Sequence, residues 1–407
     1  MAEQRGWLKR IGPGLIMAAL VLGPGSIVAS SRAGAESEYR LIWVLALSCL
    51  FMAVFTSMAA RLGCVLGVTP LQYVARRWGR WLAFILGFSA FLVTAGFQFG
   101  NNIGVAVALR GVTGLPGWIW PVAFTTLALV FLFGARHLYR LLEKLMLLLV
   151  VVMLGAFAAN LFWAGFRPAE FARDLIPSRF AGNEPIIARA MLGTTFSAVG
   201  AFYQAYLVRE KGWRRQNIGN AIADAWLGIT VLGLIALVIM LSAAGALHGT
   251  GSGFENVGQL ADQLRGALGR WATLVFCLGL AAASFSSFLA NALIGGSLMA
   301  DGLGQRANVG SMPVKLWTAV VMLAGCGVAV AVFVAGSGST TSLLIAQAAT
   351  LIAAPLCAIM LYGLTSSRGV MGGMRNRWPA LVIGAAGLLV MLVLNGLLLL
   401  KLVERLG

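Results

Sequence analysis

Apolar runs long enough to cross a bilayer follow one another from end to end of this chain, and nothing else limits its fold so severely. A span needs about 20 mostly apolar residues, and about eleven segments qualify. They are roughly 11–31, 41–62, 81–109, 118–134, 141–165, 188–208, 221–247, 271–300, 313–335, 341–364 and 378–402. The 407 residues are 60% hydrophobic and 11% charged, with a mean hydropathy of +0.89. No soluble globular class has that balance. In lipid, backbone groups find partners only inside a helix or a closed barrel. The chain is therefore expected to be an all-α polytopic membrane protein, a single transmembrane domain over 1–407. The Met and Trp residues suit lipid-facing and interfacial positions.

A formal net charge of +17 would ordinarily point to nucleic acid. Here the distribution argues otherwise. With the N-terminus placed in the cytoplasm, roughly two thirds of the 30 Lys and Arg fall on the cytoplasmic side, the bias that orients multi-pass proteins. The expected topology has a cytoplasmic N-terminus and an external C-terminus, with contact to anionic lipid and none to nucleic acid. Arg5, Lys9 and Arg10 precede the first span without a small-residue cleavage site, so that span reads as a retained helix. A bacterial inner membrane is the expected location. The five cysteines, Cys49, Cys64, Cys277, Cys326 and Cys357, lie in or beside apolar spans with no CxxC pair, and are read as packed free thiols.

Within the first span stands Gly23-Pro24-Gly25-Ser26. A proline removes a backbone donor that lipid cannot replace, so a break there must face protein or a water-filled cavity. The sixth span, "LGTTFSAVGAFYQAYLV", is rich in small residues from Ala198 to Ala201. The two places are five spans apart. An odd number would set the second unit inverted to the first, and interrupted helices at matching places in inverted halves point to a transporter's central site.

At this point a resemblance enters. "GPGLIMAALVLGPGSIVASSRAGAESEYRLIWVLAL" with "MAARLG" after it resembles the opening of the Nramp family of divalent-metal transporters. "NNIGVAVAL" (101–109), "YRLLEKLM" (139–146), "AIADAWLG" (221–228) and "SFSSFLANALIGGSLMADG" (284–302) resemble its later spans, as does Gln347 with Pro355 eight residues on. The resemblance implies a LeuT-type fold: inverted five-plus-five repeats, about 11–165 and 188–364, with an additional C-terminal helix at 378–402.

The departures from the family pattern are as informative. Where those transporters have Asp-Pro-Gly-Asn, this chain has Gly23-Pro24-Gly25-Ser26. The metal-facing Met falls at Ala201 and a nearby His at Tyr203. Two third-span carboxylates fall at Gln98 and Asn101, and a ninth-span Arg at Ala319. Glu143, Asp224 and Gln347 remain. None of the usual metal ligands is retained.

Unit charges at ~4 Å attract by about 4 kcal/mol at an effective dielectric near 20, so a lost carboxylate removes about three orders of magnitude in affinity. Tight, dehydrated binding of Mn²⁺ or Fe²⁺ is not expected. What the pocket offers is Gly23, Pro24, Gly25, Ser26, Ala198, Ala201, Tyr203, Gln204 and Gln347, together with free carbonyls at the broken helices. Small residues at both breaks imply a wide, neutral cavity. It would suit a divalent cation that keeps its water, Mg²⁺-like, or a small neutral or zwitterionic organic solute. The third possibility is a membrane protein that transports nothing.

Gln98 and Asn101 share a helix face, either lining an aqueous path or bonding their neighbours. Amides do not titrate, so no proton relay is expected. His137 and His248 read as surface residues. Glu143 is expected to pair with a base such as Arg140 or to sit at the membrane interface, with a gating role on the transport path as the alternative. Asp224 is expected to pair with Arg214 or Arg215, with an inner gate as the alternative. Asp301 is expected at a solvated span end. No Ser/His/Asp set, Cys/His pair, HExxH or nucleotide motif is present, so an enzyme is not expected, and no cofactor is called for.

Overall fold

In the computed structural model the first apolar run is two helices, not one. α1 (Pro13–Val21) and α2 (Pro24–Ser37) meet at 65° across Leu22 and Gly23. Pro24 opens α2, the position where a missing N–H costs no helical bond and the fixed φ suits the helix. A proline pushes the residue before it into extended backbone, and Gly23 is extended at φ −109° and ψ −177°. The interruption is therefore narrower than the sequence reading: Gly25 and Ser26 already belong to α2.

The structure describes residues 12–135, 137–174, 180–249, 257–335 and 340–406, without the side chains of 111–112, 257–258, 267–268, 335–352, 398 and 401–406. Arg5, Lys9 and Arg10 lie outside the described residues. After α2 come α3 (Ile42–Val65), α4 (Pro70–Trp78), α5 (Arg80–Thr113), α6 (Ile119–Gly134), α7 (Leu138–Ala164) and α8 (Pro168–Asp174). Then follow α9 (Glu184–Thr195), α10 (Ala198–Glu210), α11 (Ile218–Leu247), α12 (Val257–Gly302), α13 (Met312–Ala335), α14 (Thr340–Ser366), α15 (Arg368–Met371) and α16 (Trp378–Leu406). Among the described residues eight helical stretches are long and apolar enough to span, α9 with α10 counting as one, and the bent pair α1–α2 makes a ninth. α6 and the Ala353–Ser366 part of α14 are shorter apolar helices at the fourth and tenth expected segments.

Large apolar side chains cover the outside, as a lipid solvent requires: Phe162 is 86% exposed, and Trp81, Trp271 and Trp378 are also exposed. α16 is the most peripheral span, only 17% buried over its apolar window. The five cysteines are free thiols.

The interior is organised around α11 and α12. α11 touches both halves of the broken first span, backbone to backbone. A Cβ added at Gly228 would stand 2.0 Å from the Gly14 carbonyl oxygen of α1, and one at Gly34 of α2 would stand 2.0 Å from the Met240 oxygen. Only glycine allows helices this close without a clash. The bend in the first span is thus held from one side on both limbs.

Candidate functional site at the helix breaks

A helix leaves its last four carbonyls without helical partners. Mid-membrane, those of α1 must be satisfied by protein. The Ala18 carbonyl accepts from the Leu22 N–H at 3.2 Å and the Val21 carbonyl from the Gly23 N–H at 3.0 Å. Serine hydroxyls supply the rest. Ser286 Oγ donates to Ala19 at 2.9 Å, Ser287 Oγ to Leu20 at 2.6 Å, and Ser26 Oγ to Val21 at 2.7 Å. The carbonyls that the sequence reading offered to a cargo are thus already bonded here, and three serine oxygens stand in their place.

An amide pair completes this cluster. Gln98 Nε2 donates to the Phe288 carbonyl at 2.9 Å, and Asn101 Nδ2 donates to Gln98 Oε1 at 3.3 Å. Asn101 Oδ1 is left facing Gly23: a Cβ added there would lie 3.3 Å from it and 3.0 Å from Ser287 Oγ. Gly23, Ser26, Gln98 and Asn101 are therefore brought together. Pro24 packs beside them, its Cγ 2.3 Å from where a Gly104 Cβ would stand, and Gly25 faces the Thr194 methyl. The gap at Gly23 is close-fitting, not the wide space that small residues implied, because Ser287 and Asn101 fill it. Of the two readings for Gln98 and Asn101, the bonded one describes both, which are buried.

The second break lies at Phe196 and Ser197, two residues before the expected place. No proline makes it. Ser197 does, its Oγ accepting the Gly200 N–H at 3.2 Å as an N-cap of α10. Ala198 and Ala201 lie within the first turn of α10. A cavity of about 100 Å³ opens beside this break, lined by Ser197, Gly200, Thr94, Asn291 and Asn395 among others. It touches neither Gly23 nor Ser26.

Tyr203 and Gln204 do not join the first break. The Tyr203 hydroxyl is 3.3 Å from Ser297 Oγ. Ser297 lies ten residues beyond Ser287, about 15 Å along α12. Gln204 is fully buried, and neither polar atom of its amide has a partner among the described residues. It lies one turn beyond Gly200, whose Cβ position meets Leu20 and Met17 of α1. Gln347 is on α14, with its side chain outside the described residues.

Glu143 and Asp224 sit at the other end of α1, a half-helix from the break. Glu143 pairs with Lys211, not Arg140. Asp224 pairs with neither Arg214 nor Arg215. Its carboxylate accepts the N–H groups of Gly12 and Gly14, at 2.9 and 2.6 Å, because the orphan donors opening α1 attract an anion more strongly than exposed arginines do. Asp301 is buried, not solvated, and accepts the Tyr206 hydroxyl at 2.6 Å. His137 is exposed, whereas His248 is half-buried, with Nδ1 3.0 Å from the Ala35 carbonyl oxygen and Nε2 3.8 Å from Glu38.

The serines at 197, 286 and 287 were not singled out from sequence. The signal was present in "TTFSAVG" and "SFSSFLAN": hydroxyls inside apolar spans, where each must bond something.

Two interrupted helices five spans apart, with polar groups gathered at a mid-membrane break, define a multi-pass membrane transporter of LeuT-type fold. The family follows from comparison: the model for Nramp, natural resistance-associated macrophage protein-like, matches residues 14–401, and the chain belongs to that family. The divalent metal cation transporter MntH of Mycobacterium tuberculosis (strain H37Rv) is 25% identical over 397 residues, covering 95% of this chain and 90% of the relative. A manganese transporter from Eremococcus coleocola, solved with an aromatic bis-isothiourea substituted compound, superposes with a TM-score of 0.79 at 19% identity, covering 97% of this chain and 87% of that one. MhsT with L-phenylalanine superposes with a TM-score of 0.63 at 13% identity, covering 96% and 98%.

Proposed function

We propose that this protein carries a divalent cation that keeps most of its water, Mg²⁺-like, and does so without proton coupling. The observation behind this reading is the direction of the hydrogen bonds at the first break. Ser26 and Ser287 commit their hydrogens to α1 carbonyls, Ser286 shares its hydrogen between the Ala19 carbonyl and that of Ala283 on its own helix, and Gln98 and Asn101 each commit one amide hydrogen within the cluster. What the three serines leave for a cargo is acceptor lone pairs on neutral oxygens, and Asn101 Oδ1 adds another, while each amide nitrogen keeps one further N–H. A cation's bound waters present only hydrogens outward, so this lining would complement a hydrated ion in a conformation that opens the gap at Gly23, which Ser287 and Asn101 fill here. A bare Mn²⁺ would need anionic or soft donors to replace its water. Mg²⁺, which dehydrates reluctantly, asks for neither.

The same groups argue against a proton relay, since neither amides nor serines titrate near neutrality. On charge bias we place the N-terminus in the cytoplasm of a bacterial inner membrane, with inverted repeats at about 11–165 and 188–364. The test is flux into proteoliposomes loaded with a Mg²⁺-sensitive dye. Uptake that is equal with and without a pH gradient supports the reading. Uptake driven by an inward proton gradient, or confined to Mn²⁺, overturns it.

One observation favours a second reading, a small neutral or zwitterionic organic solute. Among the described residues the Gln204 amide has no partner for its donor or its acceptor, and a hydrated cation has no use for a donor. Isothermal titration with amino acids against MgCl₂ separates the two.

A further inference from the structure

A cavity of about 460 Å³ lies away from both breaks, between the end of α3, the start of α11 and the start of α16. Its walls are apolar: Val54, Ile222, Trp226 and Ile383. Trp226 is exposed, and α16, the outer wall, is the least buried of the described spans. One end is cationic, formed by Arg61, Arg375 and Arg377, and no acidic residue is among its lining residues.

The three arginines have different tasks. Arg61 is committed: it donates to the Met374 carbonyl at 3.2 Å and to Asn376 Oδ1 at 2.6 Å, pinning the α15–α16 connection onto α3. Asn376 passes this on, donating to Thr365 Oγ1 at 3.0 Å and Ser366 Oγ at 3.1 Å. Arg375 and Arg377 are exposed and form no ion pair among the described residues. The charge of Arg377 also acts on Arg61. The loop is thus fixed in a position that gathers like charges, with no protein anion to offset them.

We propose that this groove is a binding site for one anionic phospholipid of the surrounding bilayer. Its phosphate sits between the Arg375 and Arg377 guanidiniums, whose planar forks match phosphate oxygens in pairs. Its acyl chains lie along Val54, Ile222 and Ile383, and Trp226 stands beside them. A basic pocket between spanning helices with apolar walls is the arrangement that holds such headgroups. The lipid would join the second and seventh spans to the last one, which otherwise has few partners on that side.

The test uses the full chain purified in a neutral detergent. Phosphatidylglycerol, phosphatidylcholine with the same tails, and inorganic phosphate are titrated separately, read by thermal unfolding and by native mass spectrometry. Phosphatidylglycerol is expected to raise the unfolding temperature and to remain bound at one per chain, with the other two silent. The R375Q/R377Q variant, which changes two exposed side chains, is expected to bind it about 30-fold more weakly. An R76Q/R77Q variant on α4 is expected to bind as the parent does. Brominated phosphatidylglycerol should quench the parent's fluorescence more than that of W226F. Equal effects of the two lipids, an equal effect of phosphate alone, or full binding by R375Q/R377Q would each overturn the proposal.

Discussion

The carboxylate of Asp224 accepts the Gly14 N–H at 2.6 Å, joining the first turn of α1 to the start of α11 across 210 positions of sequence. With the Gly12 N–H at 2.9 Å it satisfies two donors that α1 cannot use itself. Asp224→Ala would bury both without partners, at an expected cost of about 2–4 kcal/mol. Asp224→Asn keeps one acceptor and should lose about half as much. Equilibrium denaturation in mixed micelles measures both, and equal losses would mean the second bond carries nothing.

Beside that pair, Gly228 allows no side chain. Its Cβ would stand 2.0 Å from the Gly14 oxygen and 2.2 Å from the Gly14 carbonyl carbon, both backbone atoms that cannot rotate away. Gly228→Ala is expected to cost more than about 3 kcal/mol or to prevent folding. Gly100, with nothing within 4 Å of its Cβ position, is the control. Gly100→Ala should be neutral or stabilising by about 0.5–1 kcal/mol, as for any exposed helical glycine. Unfolding temperatures of the two variants decide the matter.

What could be read from sequence follows from which forces are local. Apolar runs report the solvent directly, so the spanning helices were legible, and Pro24 marked the first bend because a proline constrains its own neighbours. The second bend was misplaced by two residues because Ser197 ends one helix and caps the next, a signal weaker than proline. Side-chain pairing was legible least. Lys211 and Glu143 are 68 positions apart, and Asp224 meets backbone groups that no residue type announces. The serines of α12 were invisible as a site for the same reason. Their partners, Ala19 and Leu20, are carbonyls freed only by a bend some 265 positions earlier.

Restoring an anion at the first break should restore affinity for a dehydrated metal. Gly23→Asp alone would press on Ser287 Oγ, 3.0 Å from the new Cβ. Combining it with Ser287→Ala removes that contact while exposing the Leu20 carbonyl as a second oxygen ligand. Calorimetry is expected to show Mn²⁺ binding at least tenfold tighter than in the parent, and up to roughly a thousandfold, from one carboxylate–cation attraction. If Mn²⁺ affinity does not rise, the break is not arranged to present its side chains to a cation.

At the opposite end of the first span, Glu38 occupies backbone that glycine prefers, at φ +52° and ψ −111°. Its carboxylate meets Arg167 Nη1 at 3.3 Å and His248 Nε2 at 3.8 Å, the latter an ion pair only when His248 is protonated. Both Glu38→Ala and Glu38→Gly lose these contacts, but only glycine also relieves the left-handed backbone. That relief exceeds the extra freedom glycine gains in the unfolded chain. Glu38→Gly is therefore expected to be more stable than Glu38→Ala by about 0.5–1 kcal/mol. Thermal unfolding of the two variants in one detergent tests this, and an alanine variant as stable as the glycine variant would mean that the turn stores no strain at Glu38.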